Sequence, residues 1–387
     1  MDAVSPPSDQ LVTPGFEKVA ERAWSQIRQA RGGALCVMVG GRPVLDLWGG
    51  PKDPKTGEQW ESDTMGMAFS VSKGVVSTLA HQLIEQGALA LNAPIADYWP
   101  EFAANGKATT TVRHAMAMEA GLHNVRDLVD DPELLIDWDV MTSRMAAAAP
   151  AHAPGRANAY HAITYGWLVG ELVRRVTGRS VGEQVQAALA EPLGLDGCHI
   201  GVPTDQLARV AARPVMPPEG AVLPRMARAA DPVLRRAGVS PRRMAEAFLP
   251  RRATELIGSD RFLTAEVPGA NGVYTARSLA RLYAALGSDD GLDGVQLWRP
   301  ETRRQATERQ NRRRDLVLAI RMRWRLGYHQ PIPRRKMPKE AFGFYGAFGS
   351  GAFADPTREL AVGFVCRQAV GMPLSRIVPS VLRAIDR

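Results

Sequence analysis

The spacing of apolar positions changes several times along the chain, and each change predicts a different element. Residues 16–31 read as an amphipathic helix. Two apolar runs follow, Gly33–Val39 and Val44–Trp48, split by Gly40-Gly41-Arg42-Pro43, a pattern that predicts a β-hairpin. From Ser70 to Gln86 the period becomes helical. Val71, Val75, Val76, Leu79, Leu83 and Ile84 share one face, and Gly87 is placed to stop the helix. Residues 90–290 read as mostly helix and loop, with a capping box at Ser180–Glu183 and a helix capped by Thr275 that ends near Gly287. Strand signals return at Arg321–Tyr328, which alternates, and at Leu360–Cys366, which is almost wholly apolar; a closing helix is predicted from Leu374 to Arg387.

Early strands, a helical middle and late strands predict an α+β fold: one antiparallel sheet built from both chain ends, flanked by helices, with an inserted helical lobe. The expected division is 14–89 and 290–387 for the α/β lobe and 90–289 for the helical lobe, within a single domain over 1–387. Residues 214–256 are rich in Pro, Arg and Met and weakly periodic, which suggests a flap beside a pocket.

Composition narrows this picture. With 387 residues, 45% hydrophobic and 23% charged, the chain is an ordinary globular one, not a disordered one. No apolar run approaches the ~18–20 residues that span a bilayer, so no integral membrane segment is expected. Met1–Gln10 lacks a basic segment followed by an apolar one, from which a cytoplasmic location is expected. Cys36, Cys198 and Cys366 are an odd, scattered set that suggests neither disulfides nor a zinc site. The net charge of +8 is carried mostly by arginine, in clusters at Arg225–Arg252 and Arg303–Arg335. Neither cluster interleaves aromatic residues as a single-strand binder would, so no nucleic-acid partner is expected; solvated surface is the simpler reading, with contact with anionic lipid or nucleic acid as the alternative.

Three segments carry candidate chemistry. Ser70 and Lys73 lie one turn apart at the start of a predicted helix. Serine needs a base to become a nucleophile, and a desolvated lysine can lose its proton and serve as one. The helix start also offers a free N–H and positive dipole for an oxyanion. The plainer alternative makes Ser70 an N-cap and Lys73 a surface residue. Tyr160 follows a Pro154-Gly155 turn; beside Ser70 and Lys73 its phenol would relay protons, with a pKa lowered by a nearby cation. Alone, it is equally a core tyrosine. The Gly-rich run Gly343–Pro356 is either a β-turn or a strand able to aim an N–H at a carbonyl.

In this order the segments resemble the serine β-lactamase-like superfamily, class C and penicillin-binding-protein type, and most of all its family VIII carboxylesterases. Ser70 and Lys73 match the S-x-x-K motif, Tyr160 heads the second motif, and Phe344-Tyr345-Gly346 with Asp355-Pro356 aligns with the third. Asp97–Phe102, Thr111–His114, Gly166–Glu171 and Pro192–Leu195 are similar to connecting segments of the family, and the resemblance spans roughly residues 14–385. It implies a β-lactamase/D,D-peptidase-like fold. It also implies Ser70 as the acylated nucleophile, Lys73 and Tyr160 as base and acid, and the N–H groups of Ser70 and Ala347 as an oxyanion hole. Phe344, Tyr345, Gly346 and His161 are the implied substrate contacts, and no metal or cofactor is implied.

Two departures shape the expected substrate. Position 162 is Ala where β-lactamases have Asn, and position 344 is Phe where they carry a cation for the drug's carboxylate. An uncharged small-molecule ester with a short- to medium-chain acyl group is therefore expected. Acyl transfer, β-lactam or D,D-peptide cleavage, and a silent binding module remain the alternatives. A third departure, Ala115–Leu122, brings Met116 and Met118 to a segment where they would line the pocket or simply fill core. Oligomeric state is not indicated.

Overall fold

The computed structural model describes residues 10–216, 241–248, 250, 252–331, 337–369 and 371–386. A six-stranded antiparallel sheet runs in the order β1-β3-β2-β9-β8-β7, with β1 Leu11–Val12, β2 Gly33–Val39, β3 Arg42–Gly49, β7 Phe342–Tyr345, β8 Gly351–Asp355 and β9 Leu360–Cys366. The two chain ends meet where β2 pairs with β9, from Gly33↔Cys366 to Val39↔Leu360. Both strands are buried on both faces, which is why β9 reads as a continuous apolar run. Leu35 and Val37 pack beneath helix α1 (Glu17–Gln29) and the closing helix Pro373–Ile385. Cys36 and Met38 belong to the larger core on the opposite face, with helix Ala276–Gly287.

A second, three-stranded sheet in the order β4-β6-β5 was not foreseen. Its strands are β4 Gly66–Phe69, β5 Cys198–His199 and β6 Gly272–Tyr274. They are too short to show a period of two. This sheet matters because β4 leads directly into helix α2 (Val71–Glu85).

The local cap signals hold. Ser180 and Glu183 form a reciprocal capping box, and Thr275 caps the helix that ends at Gly287. The strand expected at Arg321–Tyr328 does not form. Arg323 (φ 57°) and Gly327 (φ 84°) are left-handed and break any extended run, leaving isolated bridges from His329 to Trp324 and Gly343. Trp324, Leu326 and Tyr328 enter the core, and the intervening Arg325 is buried too, donating to the Lys339 and Glu340 carbonyls. Of the expected flap at 214–256, residues 217–240, 249 and 251 lie outside the described residues, and helix Pro241–Phe248 is the longest part described. Among the described residues, no helix is long and apolar enough to cross a membrane.

Candidate active site

Strand β4 ends at Phe69 in a left-handed turn (φ 50°), which costs a non-glycine residue about 1–2 kcal/mol. Ser72 holds that turn. Its Oγ donates to the Phe69 carbonyl at 2.5 Å and accepts the Gly272 N–H at 3.0 Å. Ser70 follows at the N-terminal boundary of α2, but its side chain caps nothing, which removes the N-cap alternative. Its Oγ instead lies 3.0 Å from Lys73 Nζ and accepts the Tyr160 hydroxyl at 2.7 Å.

Lys73 is fully buried, against the surface-lysine alternative. Its Nζ donates to the carbonyls of Ala162 and Gly269, each at 2.5 Å. Desolvation pushes its pKa well below that of an ordinary lysine. A neutral amine has two hydrogens and one lone pair, so the two carbonyls take the hydrogens and the lone pair is left for the Ser70 O–H. A second buried lysine makes the contrast. Lys107 Nζ reaches three carbonyls, those of Ala104, Ala146 and Ala148, a set that uses every hydrogen of an ammonium. All three partners of Lys107 are thus backbone carbonyls, whereas one of the three partners of Lys73 is the Ser70 hydroxyl.

The Gly269 carbonyl reaches Lys73 because two backbones touch. A Cβ on Gly166 would lie 2.0 Å from the Gly269 nitrogen, and one on Gly269 would lie 2.2 Å from the Ile163 carbonyl oxygen. Side chains at either position would part the loop from helix Tyr165–Thr177, which Tyr160 and Ala162 immediately precede.

Tyr160 is buried in an aromatic stack, 5.4 Å from the Trp324 ring and 6.4 Å from Phe344, with Phe248 edge-on at 5.7 Å. The expectation of a lowered pKa is corrected here. Burial raises it above the ordinary tyrosine value, against the hydrogen bond to Ser70, and the Asp315 carboxylate adds to the rise. Tyr160 therefore holds its proton and donates it.

Asp315, which no sequence motif marks, fixes Tyr160 from behind. Its Oδ1 accepts the Tyr160, Val317 and Leu318 N–H groups at 3.1, 2.9 and 2.9 Å. Its Oδ2 accepts Trp324 Nε1 at 2.8 Å and Asn158 Nδ2 at 3.3 Å. Asp315→Ala strands these buried donors and is expected to destabilise the protein by at least about 2 kcal/mol. Urea unfolding measures this; an unchanged midpoint would show that the carboxylate does not organise the site.

Ser70 opens onto a cavity of about 210 Å³. Its walls are Phe69, Leu135, Ile163, Met216, Met244, Phe248, Ile257, Phe262 and Phe348, with Ala162, Ala270 and Ala347 beside the serine and Arg126 at the edge. Met216, Met244 and Phe248 come from the segment expected as a flap. Ala347 follows β7, whose end passes so close to β4 that a Cβ on Gly346 would lie 2.1 Å from the Ala68 carbonyl oxygen. Among the described residues, neither the Ser70 nor the Ala347 N–H donates to a turn, loop or cap carbonyl.

Other expected contacts lie elsewhere. His161 is fully buried, its Nε2 accepting the Leu122 N–H at 3.0 Å and its Nδ1 facing the Ala159 carbonyl at 2.7 Å, so it braces a loop and does not touch the cavity. Phe344 backs the Tyr160 ring. Tyr345 belongs to the core on the other face of the sheet, as strand alternation requires. Met116 and Met118 are wholly buried core. Among the described residues, no group of three or more His, Cys, Asp or Glu side chains is arranged to hold a metal.

Residues 16–383 match the Beta-lactamase family. The chain belongs to that family. This Beta-lactamase family member is 38% identical over 341 residues to the esterase/beta-lactamase LipL of Mycobacterium tuberculosis, a match covering 87% of this chain and 77% of LipL. Among solved structures it is similar to a penicillin-binding-protein homologue from Caulobacter crescentus (TM-score 0.82, 34% identity, 97% of this chain and 98% of that one). It is also similar to a family VIII carboxylesterase (TM-score 0.83, 31% identity, 97% and 98%). The fold and the suspected resemblance therefore stand.

Proposed function

We propose that the protein is a serine hydrolase that cleaves uncharged carboxylic esters of short- to medium-chain acids through an acyl-enzyme on Ser70. The observation that carries this reading is the Ser70 Oγ, held between the Lys73 amine and the Tyr160 hydroxyl and facing an apolar cavity. In this reading Ser70 Oγ attacks the ester carbonyl and passes its proton to Lys73. The N–H groups of Ser70 and Ala347 hold the oxyanion. Tyr160 protonates the leaving alkoxide and recovers a proton from Lys73. Water then attacks the acyl-enzyme by the reverse relay.

The apolar walls argue for an alkyl acyl group. Each buried methylene adds about 0.8 kcal/mol until the cavity is filled. With Phe344 behind Tyr160 and Ala at 162, no side chain on the third motif offers a cation to a β-lactam carboxylate. Hydrolysis of p-nitrophenyl acetate, butyrate, octanoate and palmitate, followed with intact-mass analysis, tests the reading. kcat/KM is expected to rise from acetate to a maximum at butyrate or octanoate and to collapse at palmitate, with one acyl group trapped per chain. A folded protein that neither turns over nor acylates would overturn it.

A further inference from the structure

The arginine cluster in the last quarter of the chain is left without a role by this reading. Arg309, Arg312, Arg313, Arg314, Arg321 and Arg323 of that cluster lie in one closed loop over residues 309–324. The Gln310 N–H donates to the Trp324 carbonyl at 2.9 Å and shuts the neck, and the Asp315 N–H donates to the Ile320 carbonyl at 2.9 Å and tightens the tip. The inner side is committed to the site, because Asp315 and Trp324 hold Tyr160.

The outer side is different. Arg309, Arg312 and Arg321 are exposed, and none has a carboxylate within ion-pair distance among the described residues. By contrast, the exposed Arg304 and the half-buried Arg303 just upstream are both paired, with Glu301 and Asp289. Arg309 feels its neighbours: after desolvation, the charges of Arg323, Arg312 and Arg321 depress its pKa, so the guanidinium groups share one patch. In the same loop stands Ile320, 49% exposed and one of three large apolar side chains so exposed among the described residues.

We infer that this face docks on an anionic lipid surface. Three exposed arginines without an ion-pair partner among the described residues, in the same loop as an exposed isoleucine, complement a layer of phosphate headgroups over acyl chains, where the cations meet charge and the isoleucine enters the interface. A nucleic acid would use the arginines but not the isoleucine, and residues 309–323 contain no aromatic ring on which a base could stack. The net charge of +8 adds long-range attraction to the same partner. Docking there would bring the membrane beside the loop that holds Tyr160. The inference goes beyond the esterase reading and does not depend on it.

Co-sedimentation with vesicles of phosphatidylcholine alone, or with phosphatidylglycerol added, tests it. Binding is expected only to the anionic vesicles and is expected to weaken steeply with added salt. The triple variant Arg309→Ser, Arg312→Ser, Arg321→Ser is expected to bind roughly 100-fold more weakly, since each basic residue near such a surface contributes about fivefold. Ile320→Asp is expected to lose about tenfold. Both variants should keep the wild-type circular dichroism and the wild-type rate on a soluble p-nitrophenyl ester, which separates failure of docking from failure of the esterase reading. Wild type that ignores anionic vesicles, or a triple variant that binds them as tightly, overturns the inference. So does tighter binding to single-stranded DNA that Ile320→Asp leaves unchanged, which would assign the patch to nucleic acid.

Discussion

Replacing Ser70 with alanine is expected to lower ester turnover by roughly a millionfold and to abolish the acyl adduct seen by intact mass. The size of the effect follows from the arrangement. Lys73 and Tyr160 converge on one oxygen, and without it neither has a group to activate. Ser72, two residues on, cannot substitute, because its hydroxyl donates to the Phe69 carbonyl and accepts the Gly272 N–H. The fold should be untouched, since Ser70 caps no backbone group. A Ser70→Ala enzyme that still carries an acyl group would place the nucleophile elsewhere.

Lys73→Met carries the second large effect. General-base assistance contributes about 10²–10⁴-fold, and in the proposed mechanism Lys73 takes the proton of Ser70, so kcat/KM should fall toward the upper end of that range. The pH profile discriminates more sharply than the rate. Wild-type kcat/KM should rise with pH as Lys73 loses its proton, at a pH well below that at which a free lysine titrates. The variant should lack this acidic limb. Lys73→Arg should not rescue activity, because a guanidinium keeps its proton. The same lowered pKa has a stability consequence. Between the native pKa and the unfolded value of about 10.5, the unfolded chain binds the extra proton, so this group's contribution to stability rises with pH through that window. A variant that retains the acidic limb would show that another group is the base.

Much of this was legible without coordinates, for local reasons. Helix α2, its stop at Gly87, the capping box at Ser180 and the cap at Thr275 depend on residues a few positions apart, so periodicity and end chemistry reveal them. Ser70 and Lys73 are one helical turn apart, so their contact follows once the helix forms. Tyr160 could be tied to them only through the order of motifs shared with a family, because no local rule relates residues 90 positions apart.

Other features had no local signature. The alternation at Arg321–Tyr328 looked like a strand because residue types alternate there, yet residues 324–328 are all buried in a turning loop, Arg325 donating to the Lys339 and Glu340 carbonyls. Strands β4 to β6 were too short to be periodic. His161 stood beside Tyr160 in sequence, yet consecutive residues diverge, and its imidazole was drawn into bracing the chain at Leu122.

The chain by itself determined where many elements start and stop, which residues face a core, and which side chains could carry nucleophile and proton-transfer chemistry. These properties come from short-range sterics and hydrogen bonding. Tertiary structure alone decided the direction in which the buried groups' pKa values shift. Lys73 leans toward neutrality because residues from remote segments enclose it and hand it two carbonyls, and Tyr160 holds its proton because three aromatic rings and Asp315 enclose it. Desolvation is the sum of everything that surrounds a charge, and only the folded chain specifies that sum.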